Sequence, residues 1–239
     1  MMKRIVCLLI ISMSLFSFTG CSTFEDTPET DAAFAAYEAA VLQSVGHKKG
    51  AITVLTENCD TVIENKETVG VIEYSFTTDE DDRVTFERND YTNGEPVAAY
   101  KADGKKAYQM DLQSGEWQDV TESSRALLNH RTNYMNTLSL FRIDNNFKYS
   151  KHFLESVTME EAAGEKVIVF TLKGDKVTDM LEFSDQRKMQ REMASQTRSY
   201  YVNAKGDVQK IVIDTLQNVT YQGKGGILSS KITVTTQYE

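Results

Sequence analysis

The feature that most constrains the fold is an alternation of apolar and polar residues between Ala51 and Val120. Ile72, Tyr74 and Phe76 are each separated by one residue, and the same period of two returns around Phe86. A period of two places successive side chains on opposite faces of a strand. The sequence therefore predicts amphipathic strands that bury one face each in an antiparallel sheet.

Short turn sequences divide this region and predict how its strands connect. Asn93-Gly94, Asp103-Gly104 and Ser114-Gly115 are hairpin signals, because glycine readily adopts the positive φ that such turns need. Residues 97–120 are therefore predicted to form strand, turn, strand, turn and short strand. Further strands are predicted at Lys166–Leu172, Val208–Asp214 and Ile227–Tyr238.

Three segments instead have apolar residues at helical spacing. The first is predicted to begin at Thr27-Pro28 or Thr30-Asp31 and to end near Gly46. The others are Glu122–Phe141 and Asp175–Ala194. Because these helices are interleaved with strands, the sequence predicts an α+β fold.

The two later helices carry candidate binding residues. His130, Tyr134 and Leu138 fall on one stripe of the second predicted helix. Met180 and Leu181 lie on the apolar side of the third. Methionine is adaptable and common at promiscuous apolar sites.

The N-terminus is predicted to be an export signal. Lys3 and Arg4 precede the apolar stretch Ile5–Phe18. A bilayer-spanning helix needs about 20 residues, so this shorter stretch is interpreted as the hydrophobic region of a signal peptide over residues 1–20.

The residues that follow resemble the lipobox of bacterial lipoproteins. In Phe18-Thr19-Gly20-Cys21, small residues precede a cysteine, although leucine is commonest where Phe18 stands. The resemblance implies that Cys21 is lipidated and that residues 21–31 tether the protein to the membrane. Ordinary secretory cleavage near Gly20 is the alternative.

Residues 32–239 are predicted to form one domain, since no Pro-, Gly- or Ser-rich linker divides them. The chain has 26 Lys and Arg against 35 Asp and Glu, a net charge of -9. This balance argues against a nucleic-acid partner, because binding phosphates requires a concentrated positive field. With Cys7 in the signal and Cys21 lipidated, Cys59 has no cysteine left to pair with.

No pattern of catalytic or metal-binding residues is apparent. The three histidines, His47, His130 and His152, do not have metal-ligand spacing. The acidic run Asp79–Asp82 lacks the spacing of a calcium loop and is interpreted as a hairpin tip. The sequence therefore predicts no catalytic residue, no metal site, no cofactor and no enzymatic activity.

Two hairpin phrases carry a resemblance to a known family. The first places Tyr100, Gly104, Tyr108, Gly115 and Trp117 in one meander, and the second is the strand–Lys-Gly–strand phrase of residues 200–215. Both resemble the LolA-like superfamily, which includes LppX- and LprG-type lipoproteins. The resemblance implies a strongly curved antiparallel sheet, a half-barrel, with helices covering its concave face and acyl chains received between them.

The ligand-binding candidates are large rings of the strands together with the helical residues introduced above. They are Tyr74, Phe76, Phe86, Tyr100, Tyr108, Trp117, His130, Tyr134, Leu138, Met180 and Leu181. A pocket between the sheet and the helices would be apolar enough to hold a lipid or a lipoprotein acyl chain.

These observations lead to one functional hypothesis and one alternative. The first is a protein anchored by lipid to the extracytoplasmic face of the cell membrane, which binds an apolar or amphiphilic ligand. The alternative is a non-enzymatic interaction or sensor module of the envelope, with a closed core and a protein partner. The lining of the pocket would distinguish the two, since fold alone does not determine function.

Overall fold

The computed structural model describes residue 24 and residues 26–62, 66–80, 84–103, 105–122, 153–174 and 190–239. Several positions named above lie outside these ranges. They include residues 1–20, Cys21, Gly104, His130, Tyr134, Leu138, His152, Met180 and Leu181.

Helix α1 spans Pro28–Val45 and begins and ends where the sequence predicts. The Thr27 side chain accepts a hydrogen bond from the Thr30 amide at 3.2 Å, and the Thr30 hydroxyl accepts one from the Thr27 amide at 3.0 Å. This reciprocal cap satisfies two amides that a helix start leaves without partners. Proline in the first turn forfeits no helical hydrogen bond. Within the described residues, no helix combines the length and the apolarity that a membrane crossing requires.

The described residues also form eleven strands. They are β1 (Lys49–Asp60), β2 (Lys66–Thr78), β3 (Val84–Thr92), β4 (Glu95–Asp103), β5 (Ala107–Met110), β6 (Trp117–Asp119), β7 (Leu154–Ala162), β8 (Glu165–Leu172), β9 (Gln190–Val202), β10 (Val208–Tyr221) and β11 (Lys224–Tyr238). They pair antiparallel in a single sheet, in the order β6-β5-β4-β3-β2-β1-β11-β10-β9-β8-β7. The predicted antiparallel sheet and the meander of residues 97–120 are thus confirmed.

The sheet consists of two meanders joined at its centre. Strands β1 to β6 form one, strands β7 to β11 form the other, and the pairing of β1 with β11 connects them. The hairpin between β3 and β4 turns at Asn93 and Gly94, where φ is 50° and 84°. Two successive positive φ values are what the Asn-Gly signal predicts.

The third predicted helix is wrong at its C-terminal end. Residues 190–194 belong to β9, and Met193, placed above in a helix, is a buried strand residue. Pairing shifts at Ala194, because Met193 lies opposite Gln217 and Ser195 opposite Leu216. This bulge interrupts the period of two by which a strand is recognised. The charged sequence of residues 185–193 therefore looks like the solvated end of a helix. The rest of this predicted helix, and nearly all of the second, lie outside the described residues.

Register assigns the strand side chains to two faces, because residues directly opposite one another in paired strands share a face. Tyr200, Ile211, Val234, Val54 and Ile72 are successive partners across β9, β10, β11, β1 and β2. Helix α1 packs on this side, which we call the helix-bearing face. The other side is called the far face.

Candidate functional site

The six ring residues predicted to bind ligand lie on two different faces. Tyr74, Phe76, Phe86 and Tyr100 project from the helix-bearing face. Tyr108 lies opposite Lys101 in the register, not opposite Tyr100, and so projects from the far face. The sixth, Trp117, joins it there, because the Lys101 side chain contacts both of their rings.

On the helix-bearing face, strands β2 and β3 present a contiguous ring cluster, formed by Tyr74, Phe76 and Phe86. The centroid of the Tyr74 ring lies 5.9 Å from that of Phe76 and 5.4 Å from that of Phe86. Such separations are typical of favourable aromatic pairs. The three residues are only 3–5% exposed, so this cluster belongs to the buried core.

A charged pair, not anticipated from the sequence, borders this ring cluster. Arg88 lies between Tyr74 and Tyr100 in the register, and its guanidinium is 6.0 Å from the centre of the Tyr100 ring. It donates two hydrogen bonds of 2.7 Å to the Asp90 carboxylate, which raise the pKa of Arg88 further. The sequence signal that could have revealed this pair is an arginine and an aspartate two residues apart, Arg88 and Asp90, on the buried side of a predicted strand.

Helix α1 packs on the other half of the same face. The Tyr37 ring lies 5.2 Å from Phe170 and 4.8 Å from Tyr200, and Phe34 lies 5.5 Å from Phe170. Burial raises the pKa of the Tyr200 hydroxyl. Helix α1 thus contacts strands β7 to β10, whereas the ring cluster belongs to β2 and β3.

The far face contains a cavity of about 920 Å³, which we call the far-face trough. One row of its lining residues crosses six strands and consists of Gln237, Ala51, Ser75, Glu87, Lys101 and Tyr108. A second row consists of Glu239, Lys49, Thr77, Thr85 and Asp103. Phe76 and Phe86 also border the trough, but their side chains project to the helix-bearing face, so their main chain contributes to its floor.

One end of the trough is formed by Lys101 between two rings. The Lys101 ammonium lies 4.3 Å from the centre of the Trp117 ring and 5.3 Å from that of Tyr108. Both distances are within the range of cation–π attraction. At the other end, Lys49 forms an ion pair with Glu239.

A second far-face cavity, of about 510 Å³, includes Cys59 in its lining. Glu57, Glu67, Asp214 and Lys231 surround it. Among the described residues, no group of three His, Cys, Asp or Glu side chains is arranged to hold a metal ion.

His47 belongs to a group of contacts at the end of α1, which we call the latch and which joins His47 and Gln43 to Asp207 and Tyr238. Its Nε2 atom lies 2.7 Å from Asp207 Oδ1, and its ring stacks on Tyr238 with centroids 4.2 Å apart. Gln43 donates a further hydrogen bond to the same Asp207 oxygen at 3.0 Å. These contacts fasten the helix to the turn between β9 and β10.

Comparisons with solved structures find matches to lipoproteins and to a LolA-superfamily protein. LppX of Mycobacterium tuberculosis is 10% identical over 87% of this chain and 94% of its own, with a TM-score of 0.42. LprF of Mycobacterium bovis is 11% identical over 87% and 92%, also with a TM-score of 0.42. A LolA-superfamily protein of Nitrosomonas europaea is 11% identical over 87% and 93%, with a TM-score of 0.28.

The matches therefore include the LppX-type and LolA-like proteins that the hairpin phrases resemble. At identities near 10%, the likeness concerns the fold alone. No family model matches the sequence, and no curated protein does so.

Proposed function

We propose that this chain is a lipid-anchored extracytoplasmic protein that binds an apolar or amphiphilic ligand between the helix-bearing face of the sheet and its helices. The ligand class is a lipid or the acyl chain of a lipoprotein. No catalytic step, metal or cofactor is part of this function.

The width of the apolar face carries this proposal. Buried side chains extend from Ala107 on β5 to Leu154 on β7, which are nine strand spacings apart, or about 43 Å. A helix with its side chains is only about 10–12 Å across. Helix α1 alone therefore covers only part of this face.

The half of the face around the ring cluster suits an amphiphile. Tyr74, Phe76 and Phe86 offer apolar area to an acyl chain, and burying such area contributes about 25 cal/mol per Å² before entropy costs. The Arg88–Asp90 pair lies beside the rings as a polar anchor that is only half-buried. A polar head group would find hydrogen-bonding partners there without leaving the apolar surface.

The anchor is assigned to Cys21. Two or more acyl chains hold a protein stably at a membrane, whereas one holds it only marginally. A chain with net charge -9 is repelled by anionic lipid head groups. Contact with the membrane is therefore proposed to be through the lipid.

A closed interaction or sensor module is the second candidate, and the burial of the ring cluster favours it. Rings that are 3–5% exposed already pack within the chain, so a ligand must displace what covers them. In this alternative the core stays shut, and an envelope protein binds the polar surface.

Native mass spectrometry of segment 22–239, purified gently from a lipid-containing host, distinguishes the two. A bound mass that is released as lipid on denaturation supports the proposed function. A Tyr100→Leu variant, which trims a half-buried ring on the helix-bearing face, is expected to lower the bound fraction several-fold.

Tyr201→Leu is the matched control, because Tyr201 is 37% exposed and projects from the far face. It should leave the bound fraction unchanged. An apo mass that persists after incubation with mixed phospholipid vesicles would refute lipid binding and leave the interaction module.

A further inference from the structure

We propose that the far-face trough is a second binding site, and that it takes a saccharide carrying a carboxylate. This site is separate from the lipid-binding face, since Lys101 and Tyr108 project from the other side of the sheet. Its function does not depend on the presence of a bound lipid.

The trough presents closely spaced hydrogen-bonding groups along one line. Its first row places the Ser75 hydroxyl and the Glu87 carboxylate on neighbouring strands, about 4.8 Å apart, and the Gln237 amide two strands from Ser75, about 10 Å away. Thr77 and Thr85, which are register partners, add two hydroxyls beside that row. Ser75, Thr77 and Thr85 are all exposed.

This polar lining selects against an apolar occupant. An acyl chain would remove the hydroxyls and the amide from water without offering them hydrogen bonds, which costs free energy for each group left unpaired. A ligand that bears several hydroxyls satisfies them, and a site built to bind hydroxyls discriminates against analogues that lack them. The volume of about 920 Å³ is within the usual range of small-molecule sites.

The charges of the trough argue for one acidic group on the ligand. Lys49 already pairs with Glu239, and Asp103 accepts hydrogen bonds from the amides of Lys105 and Lys106 at 3.1 and 2.8 Å. Three carboxylates in the lining oppose a polyanion.

Lys101 is the lysine of the trough lining that can bind that acidic group, because Lys49 is already paired. Glu87 is its register partner, yet Lys101 forms no ion pair with any carboxylate that the structure describes. Its ammonium is held instead over the rings of Tyr108 and Trp117. A carboxylate that reaches this ammonium gains a charge-assisted hydrogen bond, while the sugar ring to which it is attached lies against the aromatic side chains.

Trp117 is the only tryptophan of the chain, so tryptophan emission reports on this site alone. The full-length lipidated chain, in micelles of a polyoxyethylene detergent, is titrated with 3′-sialyllactose, which is a trisaccharide with a single carboxylate, and with maltotriose and butyrate. 3′-Sialyllactose is expected to change the emission saturably. Maltotriose, which lacks a carboxylate, and butyrate, which lacks the sugar, should each bind at least tenfold more weakly.

Lys101→Gln should weaken the binding of 3′-sialyllactose at least tenfold, whereas Lys101→Arg should retain it. Lys210→Gln is the matched control, because Lys210 also lies over a ring, that of Tyr201 at 5.2 Å, but outside the trough. The proposal is overturned if 3′-sialyllactose gives no saturable change. It is also overturned if Lys101→Gln has no effect, or if either of the other two probes binds as well.

Native mass spectrometry of the Lys101→Gln variant keeps this result separate from the proposed function. Lipid occupancy should equal that of the unmodified chain. A loss of occupancy together with a loss of saccharide binding would mean that the substitution damages the fold, and thermal unfolding of the same sample would show it. In that case, Lys101→Arg and Trp117→Phe decide the matter through their own affinities for 3′-sialyllactose, which should be retained and reduced respectively. Isothermal titration calorimetry measures both, because Trp117→Phe removes the tryptophan whose emission is followed above.

Discussion

A single buried hydroxyl connects α1 to the sheet. Ser44 is fully buried, donates a hydrogen bond to the Ala40 carbonyl oxygen at 2.8 Å and accepts one from the Val208 amide at 2.8 Å. Ser44→Ala leaves that buried amide without a partner and should lower the free energy of unfolding by about 1–3 kcal/mol. Urea denaturation measures this, with the exposed Ser75→Ala as control. Equal stability of the two variants would contradict this role of Ser44.

The neighbouring Asp207 gives the latch a pH dependence. Burial alone raises the pKa of this carboxyl, but hydrogen bonds from His47 and Gln43 outweigh that effect and hold its pKa below the ordinary value of 3.8. A carboxyl with a lowered pKa in the folded state stabilises the fold above its unfolded-state pKa. That stability is lost as the pH falls below 3.8 and through the lowered value.

Asp207→Asn should therefore reduce stability at pH 7 and flatten the fall in unfolding free energy below pH 4. Denaturation series at several pH values measure both effects. Asp214→Asn is a suitable comparison, because Asp214 is an exposed carboxylate of the same strand region. If the unfolding free energy of Asp207→Asn falls with pH as steeply as that of the wild type, the latch is not the source of the pH dependence.

The ring candidates show what a sequence can and cannot predict at this scale. The burial of Tyr74 and Phe76 follows from alternation within one strand, which is local information. The separation of Tyr108 from Tyr100 follows from the pairing of Tyr108 with Lys101 across two strands, and no single strand encodes it. Arg88 was missed for a related reason, because its partner Asp90 on the same face gives no apolar signal.

At the scale of the elements, one close approach between Gly174, two residues after β8, and strand β9 limits which substitutions the chain tolerates. A Cβ atom added at Gly174 would lie 2.2 Å from the Met193 carbonyl oxygen, so the main chain would have to move. Gly174→Ala should therefore destabilise the fold by about 1–3 kcal/mol. Gly225→Ala, where nothing lies within 4 Å, should be nearly neutral. Thermal unfolding compares them, and equal midpoints would argue against the close contact.

The sequence predicts helix starts and hairpin turns well, because a few neighbouring residues determine them. It does not predict a strand whose ends depend on pairing with another strand. The capping pair Thr27 and Thr30 and the turn at Asn93-Gly94 are encoded within a few residues. The start of β9 at Gln190 depends on β10, a partner that lies beyond the next turn, and the bulge at Ala194 disguises its period. Tertiary pairing overrides local propensity in such segments.

At the scale of the whole molecule, stability should be greatest where the two meanders meet. Strands β1, β11 and β10 each have described partners on both sides, whereas β6 and β7 are the outermost strands of the order. Amide hydrogen exchange should therefore be slowest in the central strands and fastest in β6 and β7. Hydrogen-exchange mass spectrometry measures this, and equal protection across the sheet would contradict a graded unfolding.

The pairing of β1 with β11 also determines what an incomplete chain would look like. Strand β11, which comes last in sequence among the described strands, occupies the middle of the sheet, between β1 and β10. A product that stops near Gln222 would lose both central ladders and expose two long unpaired edges, on β1 and on β10. Such edges are templates for aggregation. The addition of residues 224–238 is therefore the event that joins two half-sheets with unpaired edges into one sheet, and a chaperone that binds the chain until then would protect β1 and β10.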